Sequence, residues 1–312
     1  MKHQEALVLA PNADEFLALL AELPGKAAVT ACKTVKSALS SHTGGQVILG
    51  QPDLVAELLA IRPEVRWVQS TWAGVEPLLA LGRSDYLLTG VKDTFGQQIF
   101  EYVLCYLLAY EQRMLERLGR QVNRNWWSEP TGTLAGKTMG VLGTGSIGRH
   151  VASMSAPFGI RVLGLNRSGQ PAAGFEKVFP TEKLDEFLSG SDYLVCTLPE
   201  TAETIGLLDA RAFDAIKPGS YLVNVGRGST IDEKALVHAL LEGRLGGAAL
   251  DVFSEEPLPP DSPLWHAPET LVTAHVAAKS RPADIAKIFV ENYRRFLAGK
   301  TLNYLVDFDL AY

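Results

Sequence analysis

The sequence predicts an α/β protein of two domains, one a doubly wound parallel sheet and the other a smaller flavodoxin-like layer. Three observations lead there. Short apolar runs that end at Gly, Pro or Asn alternate with segments of helical spacing along nearly the whole chain. That alternation is the pattern of parallel strands joined by crossover helices. Near the middle, Val141-Leu142-Gly143-Thr144-Gly145-Ser146-Ile147-Gly148 sets three glycines at G-x-G-x-x-G spacing between an apolar run and an apolar helix. The length of 312 residues, 47% of them hydrophobic, suggests about two domains that each bury a core.

Taken in order, Ala6 to Ala10 is an apolar strand that stops at Pro11-Asn12. Asp14 to Leu23 has helical spacing, with Asp14 as its N-cap and Pro24-Gly25 as its stop. Val47-Ile48-Leu49 is a strand, Leu54 to Ala60 a helix, and Trp67 to Ser70 a strand that runs into Thr71-Trp72-Ala73-Gly74-Val75. Tyr86 to Leu88 is a further strand. From Gln97 to Leu118, Ile99, Tyr102, Val103, Tyr106, Leu107, Tyr110 and Met114 recur at three- and four-residue intervals, which predicts one long helix with a wide apolar stripe. Trp126-Trp127 and Pro130-Thr131-Gly132 form an irregular stretch. Strands then follow at Thr138 to Leu142, Arg161 to Leu165, Tyr193 to Thr197, Tyr221 to Val225, Ala248 to Val252 and Leu271 to Thr273. Helices are expected from Ile147 through Met154, ending near Phe213 to Ile216, and from Glu233 to Glu242. About six strands with helices between them fit a Rossmann sheet. An amphipathic helix, Pro282 to Ala298, is expected to return to the first domain. The expected division is 1–98 with 281–312 for the first domain and 99–280 for the second.

Composition narrows the function classes. The net charge of −6 argues against nucleic-acid binding, which needs a basic patch. Cys32, Cys105 and Cys196 are widely spaced and form no C-x-x-C pair, so neither metal nor redox use is expected. A reducing, cytoplasmic setting is the simpler expectation. No run reaches the roughly 18 apolar residues that span a bilayer.

The glycine loop carries the first chemical reading. One glycine permits the tight turn from strand to helix, the second removes a side chain from the path of a pyrophosphate, and the third lets the helix pack closely. The helix amino end offers N–H groups and partial positive charge to phosphates. A dinucleotide is therefore the expected cofactor. The next strand ends in Leu165-Asn166-Arg167-Ser168. NAD binders usually carry an acid there for the ribose hydroxyls. Here Asn166 takes the place of the acid, and the Arg167 guanidinium and Ser168 hydroxyl that follow suit a ribose phosphate, so NADP(H) is the expected preference, with NAD(H) as second choice.

Three later strand ends carry polar residues that the fold itself does not need. Asn224-Val225-Gly226-Arg227-Gly228 holds an Arg between glycines, a guanidinium suited to a substrate carboxylate. Leu250-Asp251-Val252-Phe253-Ser254-Glu255-Glu256-Pro257 sets acids just past a strand, and Val272-Thr273-Ala274-His275 sets a His past another. A carboxylate bonded to an imidazole fixes its tautomer and favours its protonated form, which makes an acid/base for neutral pH.

Together, Gly143-x-Gly145-x-x-Gly148, Asn224-Val225-Gly226-Arg227-Gly228, Asp251-Val252-Phe253-x-x-Glu256-Pro257-Leu258-Pro259 and Thr273-Ala274-His275 resemble, in that order, the D-isomer-specific 2-hydroxyacid dehydrogenases. Pro259-Pro260-Asp261-Ser262-Pro263-Leu264-Trp265 and Val276-Ala277-Ala278 resemble the glyoxylate/hydroxypyruvate reductase branch. The resemblance implies that Arg227 binds and polarises a 2-keto acid, that His275 is the acid/base and that Glu256 supports it. It implies that the backbone of Ala73, Gly74 and Val75, beside Trp72, holds the substrate carboxylate, and that Asp251 bonds the nicotinamide carboxamide. The implied cofactor set is Gly143, Gly145, Ser146, Ile147, Gly148, Asn166, Arg167, Ser168, Thr197, Pro199, Thr204, Val225 and Asp251. It further implies closure of a cleft over a small 2-keto acid, a D-2-hydroxy acid product and a homodimer. Two departures stand out: Ala274 replaces the family's usual Pro before the His, and Asn166 replaces the acid of NAD-dependent members. Related formate dehydrogenases carry Gln where Glu256 stands. The same resemblance reaches dinucleotide-sensing corepressors and 3-phosphoglycerate dehydrogenases, which are the alternatives.

Overall fold

The computed structural model describes residues 5–21, 23–24, 27–41 and 46–308. They group into two compact units, Met1–Thr94 with Ser280–Tyr312, and Phe95–Lys279. Among the described residues no helix is long and apolar enough to cross a membrane.

In the first unit, β1 (Ala6–Leu9), α1 (Ala13–Leu19), β2 (Val29–Cys32), α2 (Val35–Ser41), β3 (Val47–Gly50), α3 (Pro52–Ile61), β4 (Trp67–Ser70), α4 (Glu76–Leu79) and β5 (Leu87–Thr89) follow one another. All pairings are parallel and the strand order is β2-β1-β3-β4-β5, the flavodoxin-like order. Every residue of β1, β3 and β4 is buried, because helices cover both faces of a parallel sheet. The helix expected from Asp14 to Leu23 is shorter. Asn12, not Asp14, holds the cap position, without a side-chain cap bond. The expected stop at Gly25 lies outside the described residues.

The second unit opens with α5 (Gly96–Glu111) and α6 (Met114–Val122), so the single helix expected over Gln97 to Leu118 is in fact two. Arg113 between them is left-handed at φ 51°. The cause is a distant partner. The Glu111 carbonyl accepts from Gly132 N at 2.8 Å, and its buried carboxylate accepts from the Tyr193 hydroxyl at 2.7 Å. That carbonyl no longer serves a continuing helix. The arginines so released surround the ring of Trp127, with Arg113, Arg117 and Arg120 at 4.4, 5.1 and 5.5 Å from its centroid.

Then come β6 (Thr138–Leu142), α7 (Ser146–Ser155), β7 (Arg161–Asn166), β8 (Lys177–Pro180), α8 (Leu184–Ser189), β9 (Tyr193–Cys196), α9 (Ala210–Ala215), β10 (Ser220–Asn224), α10 (Glu233–Leu241), β11 (Leu245–Leu250) and β12 (Thr270–Val272). The seven strands, one more than expected, run parallel in the order β12-β11-β10-β9-β6-β7-β8. This is the doubly wound arrangement, with its order reversing between β6 and β9. Phe187, Phe213 and Leu236 from three helices meet Leu194, Leu222 and Leu250 of the sheet in one core, and each such side chain contributes about 1.5–3 kcal/mol on full burial.

The final helix, α11 (Pro282–Leu297), belongs to the first unit. Phe289, Tyr293 and Phe296 pack their rings around Trp67 at centroid distances of 5.1, 6.4 and 5.5 Å. Buried Asn292 donates to Gln69 Oε1 at 3.2 Å and accepts from Asn303 N at 2.8 Å. A satisfied buried amide of this kind fixes one docking register.

Candidate active site

β10, β11 and β12 are neighbours in the second sheet, so the segments that follow their carboxyl ends lie side by side. Doubly wound sheets bind ligands along that edge. The segments are the three the sequence singled out. After β10, the Asn224 side chain donates to the Arg227 carbonyl at 3.0 Å and accepts from Gly226 N at 3.1 Å, which folds the chain into a tight turn. A Cβ at Gly228 would collide with the backbone of Phe253; only glycine lets the Arg227 turn rest directly on the next segment. Arg227 Nη1 donates to the Gly226 carbonyl at 2.9 Å.

Phe253 N donates to Glu256 Oε1 at 3.0 Å, and the other oxygen, Oε2, lies 2.8 Å from His275 Nδ1. A carboxylate only accepts, so Nδ1 carries the hydrogen and Nε2 is the atom left to exchange a proton. The His275 side chain is 55% exposed and that of Glu256 36%. The structure thus brings Glu256 and His275 into direct contact and sets the Arg227 turn against the Phe253 backbone that anchors Glu256.

The His275 backbone is left-handed at φ 52°, a conformation disfavoured for residues with a Cβ. Asp251 holds it there. Its carbonyl accepts from His275 N at 2.8 Å, its Oδ1 from Val276 N at 2.8 Å and its Oδ2 from Ala277 N at 2.9 Å. Thr273 Oγ1 donates to the same Oδ1 at 2.6 Å. The family resemblance implies a bond from Asp251 to a nicotinamide carboxamide; in the fold three of the roughly four acceptor positions of its carboxylate serve the His275 loop, and one remains. Thr273 stands in the Thr273-Ala274-His275 motif and at a strand end, with no role of its own expected from the sequence.

The glycine loop joins β6 to α7. Gly143 has φ 103°, open to glycine alone. A Cβ at Gly148 would strike the Gly143 carbonyl oxygen, whereas one at Gly145 would meet nothing within 4 Å. The amino end of α7, Ser146 to Gly148, carries no side-chain cap. Open space over Gly145 beside uncapped N–H groups fits a pyrophosphate. Thr197, after β9, donates to the Leu142 carbonyl at 3.1 Å, across the reversal point of the sheet. Thr204 donates to the Pro199 carbonyl at 2.7 Å, and Val225 N to the Cys196 carbonyl at 3.1 Å. These bonds align the rim of the same edge. Burial pushes the Cys196 thiol up to about 11, far from a reactive thiolate.

Asn166, named among the cofactor residues in place of the usual acid, makes its hydrogen bonds within its own turn and to Thr144. It donates to Thr144 Oγ1 at 2.9 Å and to the Gln170 carbonyl at 3.0 Å, and it accepts from Gly169 N at 2.7 Å and Ser168 N at 3.2 Å. Asn166 shapes the turn that presents Arg167 and Ser168. Arg167 pairs with Glu203 at 3.5 Å, both more than half exposed; Glu203 had escaped notice because nothing in sequence spacing ties it to residue 167.

The loop Trp72 to Val75 lies in the first unit, past the carboxyl end of β4. The Ser70 hydroxyl accepts from Trp72 N at 2.9 Å and donates to the Trp72 carbonyl at 2.7 Å. Val75 is buried, while Trp72 and Ala73 are exposed. Elsewhere in the second unit, a cavity of about 480 Å³ is lined by Tyr110, Glu111, Lys137, Tyr193, Tyr221 and Glu269. Lys137, Tyr193, Tyr221 and Glu269 mark the amino ends of the strands, opposite the edge that carries Arg227 and His275.

Comparison with known proteins points to one family. Residues 104–277 match the family model of the D-isomer specific 2-hydroxyacid dehydrogenase NAD-binding domain. Glyoxylate/hydroxypyruvate reductase A of Serratia proteamaculans is 35% identical over 264 residues, 82% of this chain and 84% of that protein. Among solved structures, a D-isomer specific 2-hydroxyacid dehydrogenase family protein from Aeromonas salmonicida superposes with TM-score 0.92 at 40% identity, over 99% of this chain and 100% of that one. The NADPH-dependent glyoxylate/hydroxypyruvate reductase of Sinorhizobium meliloti, solved with NADP and sulfate, gives 0.88 at 28% identity, over 99% and 100%.

Proposed function

Because the chain belongs to the D-isomer specific 2-hydroxyacid dehydrogenase family, we propose that it reduces small 2-keto acids, such as glyoxylate or hydroxypyruvate, to D-2-hydroxy acids (achiral for glyoxylate) with NADPH as preferred reductant. The observation that carries the reading is the 2.8 Å bond between Glu256 and His275 Nδ1, beside the Arg227 turn at the carboxyl edge of the sheet.

The cofactor would be held by Gly143 through Gly148, Thr197, Pro199, Thr204, Val225 and Asp251, with Arg167 and Ser168 on a ribose phosphate. Bound there, the reduced nicotinamide supplies a hydride to C2 of the keto acid. The Arg227 guanidinium binds the substrate carboxylate and carbonyl, and it places positive charge where the oxygen gains negative charge. His275 gives the proton on Nε2 to that oxygen, so that hydride and proton together convert C=O to CH–OH. Glu256 keeps Nδ1 protonated and steadies the imidazolium before transfer. Asp251 keeps the ring in place through the loop backbone. Oxidation of the hydroxy acid runs the same steps in reverse.

Support for NADPH comes from the absence of an acid at 166, from the exposed Arg167 guanidinium, and from the NADPH dependence stated for the Sinorhizobium relative. The test is a panel of glyoxylate, hydroxypyruvate and pyruvate assayed with both reduced cofactors. Turnover on at least one acid, faster with NADPH, is expected. No turnover with any acid and either cofactor would overturn the proposal.

A further inference from the structure

The geometry points to Tyr102 as a positioning residue for the His275 imidazole, acting through Thr273 and Asp251; this rests on His275 being the acid/base proposed above. Tyr102 lies on α5 and its hydroxyl is 2.7 Å from Thr273 Oγ1. The hydrogen bonds have one consistent direction. The Asp251 carboxylate accepts only, so the Thr273 hydroxyl donates to Oδ1 at 2.6 Å. That uses the single Thr273 proton, so the Tyr102 O–H must donate to Thr273. Burial raises the Tyr102 phenol above its ordinary value, and the proton stays in place across the working range of pH.

The chain of bonds ends on the oxygen that also accepts Val276 N. The left-handed turn at His275 is therefore held by three backbone bonds to one residue, Asp251, whose side chain is itself held by Thr273 and Tyr102. The far end of the chain is fixed by a helix, not by a loop: the Tyr102 ring packs on that of Tyr106 one turn along α5, with centroids 4.5 Å apart. Without the brace, Asp251 keeps its two backbone contacts but loses the hydroxyl that sets its rotamer. The loop can then relax toward the ordinary backbone region and turn the imidazole away from Glu256.

Tyr102→Phe removes the donor and keeps the ring. In nitrogen–proton correlation spectra of the whole protein without added cofactor, the His275 imidazole signals should shift or broaden while those of the other five histidines stay put. With cofactor and keto acid, kcat should fall about three- to tenfold, the size expected for one hydrogen bond, with the KM for NADPH unchanged. Thr273→Val cuts the chain from the other side and should cost at least as much; should Tyr102→Phe fail to fold, this variant carries the same test. The double variant should be no worse than Thr273→Val alone, because two links of one chain are not independent. Unmoved His275 signals with normal kcat would overturn the proposal, and so would additive losses in the double variant. If the wild-type protein reduces none of the keto acids, the proposed function fails, and the His275 signals alone decide whether Tyr102 positions the ring.

Discussion

Glu256→Gln tests the site with almost no change in shape. Glu256 accepts two hydrogen bonds, from Phe253 N at 3.0 Å and from His275 Nδ1 at 2.8 Å. Glutamine has one acceptor oxygen and one donor nitrogen. If its oxygen faces His275, its NH2 meets the Phe253 N–H, donor against donor. If it turns the other way, the NH2 faces Nδ1, which must become an acceptor and give up its hydrogen. Either orientation removes one bond to a charged group, and such a bond contributes about 1.5–3 kcal/mol. At 1.36 kcal/mol per factor of ten, kcat/KM for keto-acid reduction should fall roughly 10- to 150-fold. The assay is the initial rate of NADPH oxidation, beside NADPH affinity from quenching of protein fluorescence, which should not change. Glu255→Gln, at the exposed neighbouring position, serves as the control and should behave as wild type. If Glu256→Gln keeps its activity within twofold while folded, Glu256 is not what orients the imidazole, and the arrangement described above is coincidental.

Other perturbations separate the roles. His275→Ala should lower turnover by about 10²- to 10⁴-fold with NADPH affinity retained; near-normal turnover would end the acid/base assignment. Arg167→Asp should raise the KM for NADPH far more than that for NADH, and equal changes in both would refute the ribose-phosphate contact. Asp192 ties the sheet together at its other edge, accepting from Thr138 N at 2.9 Å and from Lys217 Nζ at 2.6 Å. Burial alone would raise its carboxyl, but the Lys217 ammonium and the Thr138 N–H outweigh that and hold it below the usual aspartate range. Its contribution to stability is therefore complete above about pH 4, the ordinary aspartate value, and is lost as pH falls through the lowered one. Melting curves of wild type and Asp192→Asn should differ at neutral pH and converge in acid; a gap that ignores pH would count against this.

What the sequence reveals of the fold follows from burial. β3, β6, β9 and β10 are buried throughout, so the residues between their ends had to be apolar or glycine, and each was legible as a run. The two strands that went unread, β2 and β8, each form one edge of a sheet. Val29-Thr30-Ala31-Cys32 is only partly buried and Lys177-Val178-Phe179-Pro180 starts exposed, so neither needed an apolar signature. The break between α5 and α6 was hidden for another reason. Helical spacing continues through Arg113, and the interruption comes from Gly132 N and Tyr193, far along the chain. At the candidate site, residue types at strand ends pointed to Arg227, Glu256 and His275. The local turn that occupies Asn166, and the bond from Tyr102 to a threonine 171 residues away, have no periodicity to betray them.

The left-handed backbone at His275 also explains why an aspartate must stand at 251. The carbonyl of residue 251 accepts from His275 N, while its side chain accepts from Val276 N and Ala277 N. A glutamate would carry its carboxylate one methylene too far to meet both amides. An asparagine would bring an NH2 against one of them and leave a buried donor unpaired, a loss of about 1–3 kcal/mol. The loop therefore selects aspartate before any ligand is considered, and a contact from its remaining acceptor position to a nicotinamide amide would be added to a group already fixed. An acid/base whose backbone is strained and whose ring is held through two residues behind it is set before substrate arrives. On this reading, variants at 251 and 273 should lower kcat through the position of His275, and they should do so even where affinity for the cofactor is untouched.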